Sequence, residues 1–132
     1  MTLPTWYKIH AAVTIPFALP MVLLPRWFIE LLTDAKMTEL GIDLARLVGA
    51  AYLLITFLTW IAATELRRRA QVIVARVFCV YESIGVVVGL TIHFEAHADL
   101  ARVITIGFFG TFAAGYLWFG FIEPRRTGAH AD

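Results

Sequence analysis

The sequence predicts an all-α fold: an integral membrane four-helix bundle with a short interfacial amphipathic helix after the first span. The 132 residues are 60% hydrophobic and only 16% charged, with a mean hydropathy of +0.76, whereas soluble proteins average roughly 25% charged residues. Four apolar stretches each approach the ~20 residues that a membrane-spanning helix needs. We expect a single transmembrane domain over residues 1–132, with spans at about 6–24, 45–64, 72–92 and 103–122.

The first span contains two prolines, Pro16 and Pro20, and no convincing A-x-A cleavage site follows it. We therefore interpret it as a retained helix and not as a signal peptide. Each proline removes a backbone N–H, so the carbonyls of Ala12 and Pro16 lose their usual partners and the helix is expected to kink. Irregular backbone at membrane depth is tolerated where it is buried in protein or lines a wet cavity. The kinked first helix therefore favours a cavity in the bundle, and a proline kink without a cavity is the alternative.

The segment PRWFIELLTD, residues 25–34, predicts the interfacial helix. Proline is favoured at a helix start, and charged residues alternate with apolar ones as expected of a helix that lies on the outer surface of a membrane. The apolar residues that carry this pattern are Trp27, Phe28, Leu31 and Leu32, with Arg26, Glu30 and Asp34 among them.

The distribution of Lys and Arg predicts that both termini are cytoplasmic. Short connections make consecutive helices antiparallel neighbours, so four spans leave the two termini and the second connection, at residues 67–69, on one side. That side carries seven Lys and Arg residues and the other side carries four, and the positive-inside rule counts only these. The seven are Lys8, Arg67, Arg68, Arg69, Arg76, Arg125 and Arg126; the four are Arg26, Lys36, Arg46 and Arg102.

Small and polar residues mark helix contacts in lipid, because leucine gains nothing there by packing on leucine. Such residues recur at helical spacing on three spans, and Gly85 and Gly89 form a G-x-x-x-G. The fourth span also carries a second, aromatic-rich stripe. The second-span stripe is Ala45, Gly49, Tyr52, Thr56, Thr59 and Ala63; the third is Cys79, Glu82, Gly85, Gly89 and His93; the fourth is Gly107, Thr111, Ala114 and Trp118, beside the second stripe of Arg102, Thr105, Phe109, Phe112 and Tyr116.

Glu82 is a carboxylic acid at the centre of the third span, roughly 16 Å from either end. An ionised acid at that depth costs several kcal/mol unless it is paired, hydrated or protonated. Three interpretations stay open: a proton, cation or lipophilic-ligand site, a hydrogen bond that joins helices or subunits, or a bond to a carbonyl freed in the first helix. The possible neighbours in a ligand or proton site are Tyr81, Tyr52, Thr56 and Thr111.

Histidines give two further hypotheses, one for a metal site and one for a lipophilic cofactor. His93 and His97 are four residues apart, with Glu95 and Asp99 nearby, so on a continued helix they could chelate a divalent metal at the outer surface. Surface histidines and a helix-capping Asp99 are the alternative. His10, near the cytoplasmic end of the first span, could be an axial ligand for haem or a chlorin, or could donate a hydrogen bond to a quinone.

The stretch LARLVGAAYLLITFLTWIA, residues 44–62, follows PRWFIELL and a short acidic loop. It resembles the second span of small uncharacterised bacterial four-helix membrane proteins, DoxX-like ones among them, over about half of the chain. The resemblance implies a four-helix bundle in a bacterial inner membrane. It carries over no catalytic residue.

We predict a non-enzymatic protein that acts as an accessory or oligomeric subunit of a membrane complex and holds a lipophilic ligand near Glu82. Its partners would be the lipid bilayer and other membrane subunits or itself, and the formal net charge of +1 gives no case for nucleic acid. No G-x-S-x-G, Walker A, H-E-x-x-H or C-x-x-C motif occurs. The alternatives are a small proton- or cation-coupled transporter that uses Glu82, and an intramembrane enzyme or metal protein that uses His93 and His97.

Overall fold

The computed structural model describes residues 1–32, 36–95 and 100–127, with the side chains at 92–95, 100–102 and 127 left out of the description. This part of the chain contains helices and no strand, which confirms the predicted all-α class. It divides into two compact units, Met1–Glu65 and Leu66–Asp132.

The first unit contains two long helices and a short one. Helix α1 spans Leu3–Leu23, α2 spans Pro25–Leu32 and α3 spans Glu39–Thr64. Thr2 and Thr38 cap the long helices, since their hydroxyl oxygens accept from the backbone N–H groups three residues further on. Helix α3 begins six residues before the predicted span because a capped first turn carrying Glu39 extends the helix beyond its apolar part.

Helix α1 continues through both of its prolines. It packs mainly on α3, and Gly49 in the first half of α3 meets Met21 and Val22 at the end of α1. The two helices are therefore antiparallel. A Cβ added at Gly49 would lie 2.8 Å from the Met21 Cβ and 3.0 Å from the Val22 backbone nitrogen, so this contact requires glycine.

The short helix predicted after the first span is present as α2. Its apolar residues do not share one environment: Phe28 is buried and meets the Phe17 ring edge-on at 6.2 Å, whereas Trp27 and Leu31 are exposed. An ion pair of 2.8 Å between Arg26 and Glu39 joins α2 to the start of α3. One side of α2 is thus held by the protein, and Trp27 and Leu31 lie on its exposed side.

The second unit is a helical hairpin with an irregular end. Helix α4 spans Arg68–Glu95, α5 spans Leu100–Leu117, a π-helical turn follows at Trp118–Ile122, and α6 spans Glu123–Thr127. Contacts between α4 and α5 run in antiparallel register, from Gly89 against Ile106 to Phe78 stacked on Tyr116, with ring centroids 5.4 Å apart.

Within the described residues, four helical segments are long and apolar enough to cross a membrane, as predicted. Between 17 and 28% of the residues in their apolar windows are buried, and large apolar side chains of these helices are exposed, Leu47, Phe57 and Val77 among them. A soluble protein would not expose such an apolar exterior, whereas lipid is its natural solvent. The segments are Leu3–Leu23, Glu39–Thr64, Arg68–Thr91 and Val103–Arg126. This is the architecture of an integral membrane protein.

Candidate functional site

Glu82 lies near the middle of α4, about 20 Å from either end of that helix at 1.5 Å per residue. Its side chain is only 1% exposed. The other buried residues of α4 recur at helical spacing and place Glu82 on the packing face of the helix: Gln71, Ala75, Phe78 and Cys79. The acid predicted to face protein and not lipid does so.

Close contacts with α5 lie on both sides of Glu82 along α4. Three residues before it, the Cys79 Sγ is 3.8 Å from the backbone carbonyl of Ala113. Three residues after it, Gly85 lies against the ring of Phe109, where an added Cβ would come within 2.4 Å. Glu82 is therefore held in a section of α4 that cannot move away from α5 without breaking packing on both sides.

The side chains predicted as neighbours of Glu82 are divided between the two units, and a site that joins all of them stays a prediction. In the second unit, Tyr81 points partly outward and meets Phe109 edge-on at 6.3 Å, and Thr111 is exposed. Tyr52 and Thr56 belong to α3 in the first unit. The hydroxyls of Thr56 and Thr111 each donate to the carbonyl four residues earlier, at 2.8 and 2.7 Å. Such bonds satisfy a hydroxyl within its own helix.

The aromatic residues of the second stripe on the fourth span form the face of α5 that packs on α4. Phe109, Phe112 and Tyr116 are buried, and Tyr116 contacts both Phe78 and Phe112. Aromatic pairs of this kind contribute about 0.5–1.5 kcal/mol beyond their buried area. The sequence shows this face as an aromatic stripe at helical spacing, whereas the general preference for small residues at helix contacts in lipid favoured the other stripe.

The glycines of α4 and α5 differ in what surrounds them. Gly85 and Gly89 lie against Phe109 and Ile106 of α5, as expected of a close-contact G-x-x-x-G. Gly107 has open space where a side chain would begin, and Thr111, Ala114 and Trp118 are exposed on the same side of α5. The assignment of Gly107 and Ala114 as helix-packing residues stays a prediction, because within the second unit the bulky aromatic side of α5 fills the space beside the α4 glycines.

His10 is buried on the packing face of α1, together with Tyr7, Ala11 and Thr14. The Thr14 hydroxyl donates to the His10 backbone carbonyl at 2.8 Å. An imidazole at this position could serve as an axial ligand or a hydrogen-bond donor to a lipophilic cofactor. That role stays a prediction.

The predicted metal ligands fall outside the described part of the structure: His97 and Asp99 entirely, His93 and Glu95 in their side chains. Within the described residues, no group of three or more His, Cys, Asp or Glu side chains could hold a metal ion.

Sequence reasoning missed the π-helical turn and the arginine that supports it. The guanidinium of Arg76 on α4 donates through Nε to the Gly120 carbonyl at 2.9 Å and lies 5.3 Å from the centre of the Phe121 ring. A Cβ at Gly120 would meet the Arg76 backbone nitrogen at 3.3 Å, so the two helices approach closely there. The position of Arg76 inside an apolar span was the feature of the sequence that could have indicated such a contact.

Comparison with protein-family models, with curated proteins and with solved structures finds no match to this chain. The resemblance of the second span to DoxX-like proteins therefore stays a prediction, and the function has to be argued from the geometry described above.

Proposed function

We propose that this chain is a small non-enzymatic integral membrane protein that works by association, as an accessory or oligomeric subunit of a membrane complex. Its four spans would make up one transmembrane domain in a bacterial inner membrane, with α2 at the outer interface. Both termini would be cytoplasmic, because Lys and Arg are concentrated beside them.

The observation that carries this proposal is the exposed side of α5. Gly107, Thr111, Ala114 and Trp118 recur there at spacings of four and three, on a side of α5 that does not pack on α4. Small residues let two helix backbones approach closely in lipid, where association depends on packing and not on hydrophobic burial. The Thr111 hydroxyl donates to the Gly107 carbonyl of its own helix, so it needs no partner from a second helix that packs on this stripe.

Native mass spectrometry of the protein extracted from its own membrane in mild detergent tests this proposal. We expect a mass that contains additional chains, whether other subunits or further copies. Gly107→Leu should return the monomer mass by blocking close approach. Ala51→Leu is the matched control, since Ala51 is also a small exposed residue of an apolar helix, and it should leave the complex intact. A bare monomer for the natural chain would contradict the proposal.

A second candidate function rests on Glu82 itself. A fully buried acid at the middle of a membrane-spanning helix is a common feature of proton and cation pathways and of ligand sites in membranes. A small transporter that uses Glu82, or an associating subunit that holds a lipophilic ligand there, would both need such a group. The neutral variant Glu82→Gln separates these possibilities from a purely structural hydrogen bond.

A further inference from the structure

One end of the second unit is strongly basic. Residues 66–76 and 118–127, which the antiparallel hairpin brings to the same end, contain six arginines and a single acid, Glu123. Two contacts show that these segments meet: an ion pair joins Arg68 to Glu123, and Arg76 binds the Gly120 carbonyl. The positive charge of this end therefore comes from both helices and is concentrated in one place.

Two of the six arginines have partners inside the unit, and four are directed outward. Arg68 is paired with Glu123, and Arg76 holds the π-helical turn. We define the other four, all exposed, as the arginine cluster: Arg67, Arg69, Arg125 and Arg126. Within the described residues, no acid pairs with any member of the cluster.

The cluster lies at the boundary between the apolar spans and water. Arg69 is one turn from Ile73, an exposed apolar residue of α4, and Arg126 is the last residue of a candidate span. The guanidinium of Arg126 lies 5.0 Å from the centre of the Trp118 ring. Tryptophan is typical of the headgroup level of a bilayer, so this contact holds Arg126 at the depth where lipid phosphates are found.

We propose that the arginine cluster binds the phosphate groups of anionic phospholipids in the adjoining leaflet. A guanidinium presents a planar set of donors that matches a phosphate in a bidentate way, and groups of four or more Lys and Arg beside a membrane helix attract anionic lipid. The exposed apolar surface directly beside the cluster favours a lipid over a nucleic acid, because a polynucleotide would have to lie against hydrocarbon. This inference does not rest on the proposed function.

The test is a lipid titration of the purified full chain in detergent, followed by native mass spectrometry. Phosphatidylglycerol and phosphatidylcholine with the same acyl chains are the two probes. We expect the natural chain to bind phosphatidylglycerol more tightly. Replacing Arg125 and Arg126 by Gln should lower that affinity by about fivefold for each arginine, hence about 25-fold together, without changing the binding of phosphatidylcholine.

A charge-matched control variant, Lys36→Gln with Arg46→Gln, removes the same two charges from the first unit and should change the affinity by less than about twofold, because it leaves the cluster intact. Equal binding of the two lipids by the natural chain overturns the proposal, and so does an equal loss in the control, which would indicate net charge alone. If Arg125→Gln with Arg126→Gln does not fold, the pair Arg67→Gln with Arg69→Gln is judged by the same criterion. Tighter binding of a single-stranded oligonucleotide than of phosphatidylglycerol also overturns it.

Discussion

At the scale of single residues, glycine decides where two helices of this protein can touch. Gly49 and Gly85 lie where an added Cβ would overlap a neighbouring helix, against Met21 in one case and Phe109 in the other. Gly107 lies in open space. The same residue type therefore makes a contact possible in two places and leaves an outward surface in the third.

We predict that Gly85→Ala destabilises the α4 and α5 hairpin by about 1–3 kcal/mol, the usual cost of overpacking a close contact. The new methyl group would lie 2.4 Å from the Phe109 ring, and that ring is buried, so it has little freedom to move aside. Unfolding of the purified protein in mixed micelles with increasing sodium dodecyl sulfate measures the change.

Gly107→Ala is the matched control for this prediction. It adds the same methyl group to a glycine of the partner helix that has open space, and alanine favours a helix more than glycine does, so the unfolding midpoint of the monomer should not fall. Equal destabilisation by the two substitutions would contradict the prediction, because the contact with Phe109 would then not explain the effect.

At the scale of secondary-structure elements, the end of the α5 helix is the least regular part of the second unit. The π-helical turn at Trp118–Ile122 departs from the i to i−4 hydrogen-bond pattern, and such turns need external partners for the groups that they displace. Arg76 supplies one partner by donating to the Gly120 carbonyl and by lying against the Phe121 ring. A side chain of α4 thus supports an irregular turn in the helix beside it.

We predict that Arg76→Gln loosens the π-helical turn by about 1 kcal/mol, because it removes a charge-assisted hydrogen bond that is only partly shielded from water. The backbone amides of Trp118–Ile122 should then exchange with deuterium about fivefold faster. Mass spectrometry of peptic fragments measures this rate, and the amides near Phe109 should be unaffected.

Arg69→Gln provides the comparison, since Arg69 is an exposed arginine of the same helix without a bonded partner among the described residues. It should leave exchange at the turn unchanged. Unchanged exchange in Arg76→Gln would mean that the turn is formed by its own sequence and does not depend on the arginine.

At the scale of the whole molecule, the protein combines an outward apolar surface with a few polar groups that are completely enclosed. Many large apolar side chains of the four candidate spans are exposed, while Glu82, His10 and Thr59 are among the most buried side chains. Enclosing an acid in a membrane protein is costly, so Glu82 is the position where a substitution tests what the molecule does.

We predict that Glu82→Gln leaves assembly intact and abolishes pH-dependent transport or ligand binding if Glu82 is a proton or ligand site, because glutamine keeps the shape of the side chain but has no O–H to donate and cannot ionise. A role as a hydrogen bond between subunits predicts lost assembly at every pH. Native mass spectrometry reads out assembly, and proton-coupled uptake into liposomes reads out transport. A variant that matches the natural chain in both assays contradicts both hypotheses.

The sequence was sufficient for the features that depend on local composition. The all-helical class and the four apolar segments follow from hydropathy over ~20 residues, and the α2 helix follows from its proline start and amphipathic pattern. The inward position of Glu82 also followed, because an acid and the two glycines beside it share one helical face and neither favours lipid. These are properties of single helices.

The tertiary structure decided which face of each helix packs and how α5 ends. In water, hydrophobic residues point inward and show the rotation of a helix, but in lipid both faces are apolar and the rotation depends on the shape of the neighbour. The wide rings of Phe109 and Tyr116 fit beside the glycines and aromatic residues of α4, so α5 turns these rings toward α4 and turns Gly107 and Ala114 away from it. The π-helical turn likewise has a tertiary partner in Arg76, which lies 44 residues from Gly120 in the chain and meets it only in the folded hairpin.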